Sequence, residues 1–66
     1  MVITQKAARI NAGLTQGDVA EMLGVRRATI CKWEKGKVKM KDYQKSRLAD
    51  IYNIDIKCIK FADEEE

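Results

Sequence analysis

Residues 15–36 read TQGDVAEMLGVRRATICKWEKG, and the phase of their apolar side chains decides the fold. Val19, Ala20 and Leu23 share one face of a helix. Thr15 can cap that helix, and Asp18, three residues on, is a short form of the capping-box acid whose charge suits the positive end of the helix dipole. Gly24 is the stop, free to take the positive φ that a tight interhelical turn needs. Ile30 and Trp33 then resume the helical period, so a second helix must begin within two or three residues. It runs over about 27–34 and closes near Lys35, ahead of Gly36. Val19, Leu23, Val25, Ile30 and Trp33 supply the contacts between two helices that cross steeply, with the small Ala20 where they come closest. The spacing from Ile30 turns Trp33 inward, as a core anchor rather than a base-stacking platform.

Upstream of this pair, Thr4 can cap a helix running to about Asn11, with Ala7, Ala8 and Ile10 available to the core and Gly13 in the post-helix position. Downstream, residues 37–41 form a short basic loop. Asp42 is placed to cap a helix reaching about Tyr52, with Leu48, Ile51 and Tyr52 facing inward and Asn53 at its end; Asp55 can cap a last short helix carrying Ile56, Ile59 and Phe61. No stretch alternates as a strand does. The expectation is an all-α fold, a compact bundle of about five short helices occupying residues 1–62, followed by an acidic tail, 63–66, that reads as disordered.

A chain of 66 residues makes one domain and buries only about 60% of the surface its unfolded form exposes, which leaves no room for a deep catalytic cleft. It contains no histidine, and its two cysteines, Cys31 and Cys58, are too few for a disulfide framework and lack the partners of a zinc site. No metal, cofactor or small-molecule ligand is expected, and a reduced, cytosolic setting is the simpler reading. The absence of a leader pattern and of an apolar run near 18 residues points to a soluble, unsecreted chain with no membrane association.

The net charge of +3 conceals an asymmetry. The last four residues are all acidic; without them thirteen basic residues stand against six acidic ones. Between positions 26 and 47 lie Arg26, Arg27, Lys32, Lys35, Lys37, Lys39, Lys41, Lys45 and Arg47 against Glu34 and Asp42 alone. Such a field draws a polyanion, with nucleic acid and anionic lipid the first candidates and a solvated, solubilising surface the alternative. Position on the helices decides between them.

Four blocks of sequence, Gly13-Leu14-Thr15-Gln16, DVAEMLGV over 18–25, ICKWEKG over 30–36 and LADIYNI over 48–54, stand in an order that resembles the helix-turn-helix transcription regulators of the phage repressor and Cro (XRE) class. The resemblance covers most of the chain, with the two-helix unit at about 16–35. It implies a repressor-like DNA-binding domain, cytoplasmic and bacterial or phage-encoded, that binds double-stranded DNA as a homodimer on a near-palindromic operator. Two departures stand out. Members often carry serine or threonine where this chain has Arg26, and often a proline in the loop that here reads KVKMK, so a weaker cap and a less rigid loop are expected.

With Ile30 and Trp33 inward, Arg27, Ala28, Cys31 and Lys32 share the opposite face, whose N-terminal part this motif inserts into the major groove. Arg27 has the donor fork that engages guanine O6 and N7, Lys32 reaches similar acceptors, Ala28 suits a thymine methyl, and Cys31 is read as a small residue rather than a redox thiol. Arg26 can reach a base edge or a phosphate. The resemblance assigns Gln16 to a phosphate, together with the free amides of its helix terminus, while Thr29, Lys35, Lys37 and Lys39 flank the other side. In relatives with the same residues an arginine of the first helix pairs with the glutamate closing the third, here Arg9 with Glu34, and that arginine can also face a phosphate. For the dimer, Ile54, Ile56, Ile59 and Phe61 offer more apolar surface than a short terminal helix needs for its own docking, with packing back onto the first and fourth helices as the alternative. An enzyme is disfavoured, with no histidine, no glycine-rich phosphate loop and no paired carboxylates outside the tail. A protein-interaction module, antitoxin-like or polymerase-contacting with secondary DNA binding, is the alternative, and the fold alone does not separate the two.

Overall fold

Four α-helices carry the fold among residues 1–64, the residues that the computed structural model describes. The first, α1 (Gln5–Asn11), is capped by Thr4, whose hydroxyl oxygen accepts the Ala7 amide at 3.1 Å. At the head of α2 (Gln16–Leu23) the capping box closes in both directions: the Asp18 amide donates to Thr15 Oγ1 at 3.0 Å and the Thr15 amide to Asp18 Oδ2 at 2.9 Å. Gly24 ends the helix at φ 69°, a conformation costly for a residue with a Cβ, and returns the Val25 amide to the Ala20 carbonyl at 3.0 Å. Helix α3 (Arg27–Glu34) begins at Arg26 with no side-chain cap, and the Thr29 amide takes the Arg26 carbonyl instead.

The Asp18 box has a pH signature. Hydrogen bonds from the Thr15 amide, and then the Thr15 hydroxyl, hold the Asp18 carboxyl below its ordinary value of 3.8. Since the folded-state pKa is the lower one, the box stabilises fully above the unfolded value and loses its effect as pH falls through the folded one. The stability gap between the chain and Asp18→Asn, followed by denaturant titration, should hold from neutrality to about pH 5 and close below it. A gap still open near pH 2 would show that the carboxylate charge does not hold the cap.

Helix α4 (Asp42–Tyr52) starts one residue earlier than its sequence suggests. Its N-cap is Lys41, and Asp42 occupies the first helical position, where its charge still suits the dipole. The capping role falls to Gln44, whose Oε1 accepts the Lys41 amide at 2.9 Å.

The C-terminal segment departs furthest from expectation. Asp55 caps a 3-10 turn, Ile56–Cys58, rather than a fifth helix, with Oδ1 accepting the Lys57 amide at 2.8 Å. The chain then extends into a two-residue strand, β2 (Ile59–Lys60), which pairs in parallel with β1 (Ile3–Thr4), Ile3 opposite Ile59 and Thr4 opposite Lys60. A second 3-10 turn, Ala62–Glu64, follows. The fold is therefore mostly helical rather than all-α. Strands of two residues are too short to alternate visibly, and their pairing joins positions 56 apart in sequence.

The core gathers Val19, Ala20, Ile30, Trp33, Met40, Leu48, Ala49 and Tyr52 with Ala8, Ile59 and Phe61. Ile10, expected inside, is 56% exposed. The inward stripe of α1 runs through Gln5, Ala8 and Arg9, positions i, i+3 and i+4, and Ile10 lies one step round the helix from it. The apolar C-terminal residues go inward too: Ile59 and Phe61 are buried and Ile54 packs half-buried against the core, which leaves Ile56 alone of the four exposed. The segment thus follows the alternative, packing back onto α1 and α4. Asp63 is not part of a free tail either, because its side chain is 5% exposed and bonded to the domain; Glu65 and Glu66 lie outside the described residues.

Candidate nucleic-acid interface

Helices α2 and α3 pack on each other through Val19, Ala20, Ile30 and Trp33, with Leu23 and Val25 at the rim. Burying Ile30 and Trp33 fixes the rotation of α3 about its axis, and its other face is thereby turned out. On that face Arg27, Ala28 and Lys32 are exposed and Cys31 is half-buried, with Thr29 half-buried at the flank and Arg26 exposed at the helix entrance. Lys35, Lys37 and Lys39 are exposed in the stretch that follows. The turn between α3 and α4 points these lysines outward while Met40, at 4% exposure, is drawn into the core.

Behind this face lies a polar junction of α1, α2 and α3. Arg9 Nε donates to Glu34 Oε2 at 2.7 Å, Nη2 reaches Oε1 at 3.4 Å and Nη1 donates to the Leu14 carbonyl at 3.0 Å. Gln16 Nε2 donates to Glu34 Oε1 at 3.1 Å. The side chains of Arg9 and Glu34 are 10% and 5% exposed. These contacts use three of the five guanidinium N–H groups of Arg9. Tyr52 stands beside the pair. Burial first, then the Glu34 carboxylate, push its phenol up to about 12 against the opposing pull of Arg9.

A family model described as Helix-turn-helix matches residues 5–57 of the chain, from the first residue of α1 to the 3-10 turn after α4. The chain belongs to the helix-turn-helix family. Its type is that of the XRE, Cro/C1 regulators, a DNA-binding regulatory family rather than an enzyme family. Comparison with curated proteins and with solved structures found no match.

Helix α3 stands in the place of the second helix of the helix-turn-helix motif. The structure brings Arg27, Ala28, Cys31 and Lys32 onto one face and sets Lys35, Lys37 and Lys39 beyond its end. It places Gln16 differently from these, half-buried with its amide on Glu34. An amide nitrogen has two hydrogens, so one bond to Glu34 leaves a second N–H for another acceptor.

Sequence reasoning missed the start of α4. Tyr43, 61% exposed, and Arg47, also exposed, line a shallow groove of about 100 Å³ with Gln44, Leu23, Val25 and Trp33. The groove joins the turn before α3 to α4. The signal was the charge run itself, which continues through Lys41 to Arg47 beyond the last residue assigned to DNA. Among the described residues no helix is long and apolar enough to cross a membrane, and no group of three or more metal-ligating side chains gathers.

Proposed function

We propose that the chain is a sequence-specific regulator of transcription, acting as a repressor, which reads the major groove of double-stranded DNA with α3. The observation that carries this reading is the division of α3: Ile30 and Trp33 are buried while Arg27, Ala28 and Lys32 stand exposed on the other side. Arg27 engages a guanine, Lys32 a neighbouring acceptor, Ala28 a thymine methyl, and the small Cys31 lets the helix backbone approach. Arg26, at the entrance, takes a base edge or a phosphate. Gln16, through its second N–H, and Thr29, Lys35, Lys37 and Lys39 hold phosphates on either flank. One recognition helix reads too few base pairs to specify a site, so the active form is a twofold dimer on a near-palindromic operator, with the two α3 helices about 34 Å apart. Repression is the simpler outcome, since a small domain seated on a promoter excludes polymerase without a further contact.

Selection from random duplexes, followed by titration at several salt concentrations, tests the reading. Binding should favour the selected duplex and fall steeply with salt, with two chains per duplex at saturation. Lys37→Ala should weaken selected and scrambled duplexes alike and reduce the salt slope by about one per site contacted. Binding that ignores salt and sequence would remove DNA reading, and one chain per duplex would remove the dimer.

A further inference from the structure

The turn from α3 to α4 is held at both ends by the C-terminal segment. At its start Gly36 has φ 72°, and a Cβ there would stand 2.9 Å from Ala62 Cβ and 3.1 Å from the Ala62 carbonyl carbon and oxygen. Ala62 therefore sits directly on the Gly36 backbone. At its end the Met40 amide donates to Asp63 Oδ2 at 2.8 Å. Lys45 Nζ, on α4, lies 3.4 Å from Asp63 Oδ1, near enough to pair in charge although not aligned as a hydrogen bond, and 5.1 Å from the centroid of the Phe61 ring. Phe61, at 1% exposure, and Ile59, paired to Ile3 across the two strands, anchor the segment in the core. Residues 59–63 thus form a strap across the base of the loop whose outer side carries Lys37 and Lys39.

We propose that Asp63 is a positioning residue for DNA binding: through the Met40 amide it holds the loop in the shape that presents Lys37 and Lys39 to the phosphate backbone. This rests on the reading of those lysines as phosphate contacts. A carboxylate with a side chain only 5% exposed is costly to enclose unless it is bonded, and this one accepts a backbone N–H and faces a buried lysine. The loop contains no proline to stiffen it, so the strap supplies the order that a fixed φ would otherwise give. A loop released from the strap has to be ordered again on binding; fixing one fully freed residue costs roughly fivefold to thirtyfold in affinity, and a loop still tethered at both ends regains only part of that freedom.

The sign of the effect separates this role from plain charge. An acidic residue close to a DNA-binding loop repels phosphate, so on electrostatics alone Asp63→Ala tightens binding. The strap requires the reverse: Asp63→Ala weakens selected and scrambled duplexes by roughly threefold to tenfold, and the Met40 amide exchanges faster with solvent. Asp63→Asn removes the same charge but keeps an oxygen for that amide, and it should recover most of the affinity. Equal affinities for the alanine and asparagine variants, both folded by circular dichroism, would overturn the proposal, as would tighter binding by the alanine variant. The unaltered chain gives a check that needs no variant, because its Met40 amide should exchange more slowly than those of the exposed Val38 and Lys39, and equal rates would also overturn it. Lys37→Ala measured alongside tells the two readings apart. Loss of affinity there with none in Asp63→Ala rejects the strap alone, whereas no loss in Lys37→Ala rejects the loop as a phosphate contact and the strap with it.

Discussion

Truncating Arg9 or Glu34 to alanine should destabilise the domain by about 3 kcal/mol or more, and truncating both should cost less than the sum of the two. The pair lies between α1 and α3 with side chains 10% and 5% exposed, so water replaces little of what either loses. Glu34→Ala leaves a guanidinium with only the Leu14 carbonyl among its present acceptors, and strips Gln16 of its partner. Arg9→Ala leaves a carboxylate with the Gln16 amide alone. In each case the larger penalty is the enclosed charge left behind, and the double variant removes it. A 66-residue domain has a total stability on the order of 5 kcal/mol, so either single variant is expected to keep about 2 kcal/mol or less and to unfold at much lower denaturant. Apolar replacement, Arg9→Met with Glu34→Leu, should sit near the stability of the original chain. Denaturant titration followed by the fluorescence of Trp33, the one tryptophan, measures all four. A coupling energy near zero in the cycle would mean that the two charges are solvated and do not depend on each other.

This junction also shows where the sequence was legible and where it was not. The starts of α1 and α2 and the ends of α2 and α4 are readable because each is a local chemical event: a hydroxyl at Thr4 or Thr15, an acid at Asp18, a left-handed residue at Gly24 or Asn53. The rotation of α3 followed from two apolar residues three apart. The rotation of α1 did not, because its inward stripe includes Gln5 and Arg9, and a search for apolar periodicity passes over polar residues that the fold encloses. Ile10, the largest apolar residue of α1, lies outside the core. Arg9 and Glu34 are 25 residues apart, and nothing local links them; only the likeness to a family brought them together in advance.

The C-terminal segment failed for a related reason. Ile56, Ile59 and Phe61 fall near helical spacing, yet Ile59 is held in an extended conformation by its partner Ile3 at the other end of the chain. Asp63 opens a run of four acids that looks like any solvated tail. What distinguishes it is the Met40 amide it receives, a contact between positions 23 apart that no spacing rule contains. Local signals marked the elements, and long-range hydrogen bonds decided how the ends of the chain were used.

Replacing Arg27 by alanine should cost on the order of 1 to 3 kcal/mol in binding to the best operator and should relax base preference at one position of each half-site. The argument runs from the core outward. Ile30 and Trp33 are held at 0% and 4% exposure, so α3 cannot rotate about its axis without emptying the core, and Arg27 is fixed on the open side at the first helical turn. At that position a guanidinium reaches base edges when the helix enters the groove, and its planar fork matches the two acceptors of a guanine. Lysine offers a single point donor, so Arg27→Lys should keep part of the affinity through charge and lose most of the base preference. Lys37, beyond the helix and in the loop, should behave oppositely, losing affinity without losing preference. Titrating selected and scrambled duplexes with each variant at several salt concentrations distinguishes the two kinds of contact. If Arg27→Ala lost affinity equally on both duplexes and kept its base preferences, Arg27 would be one more phosphate contact, and the helix would lie across the backbone instead of within the groove.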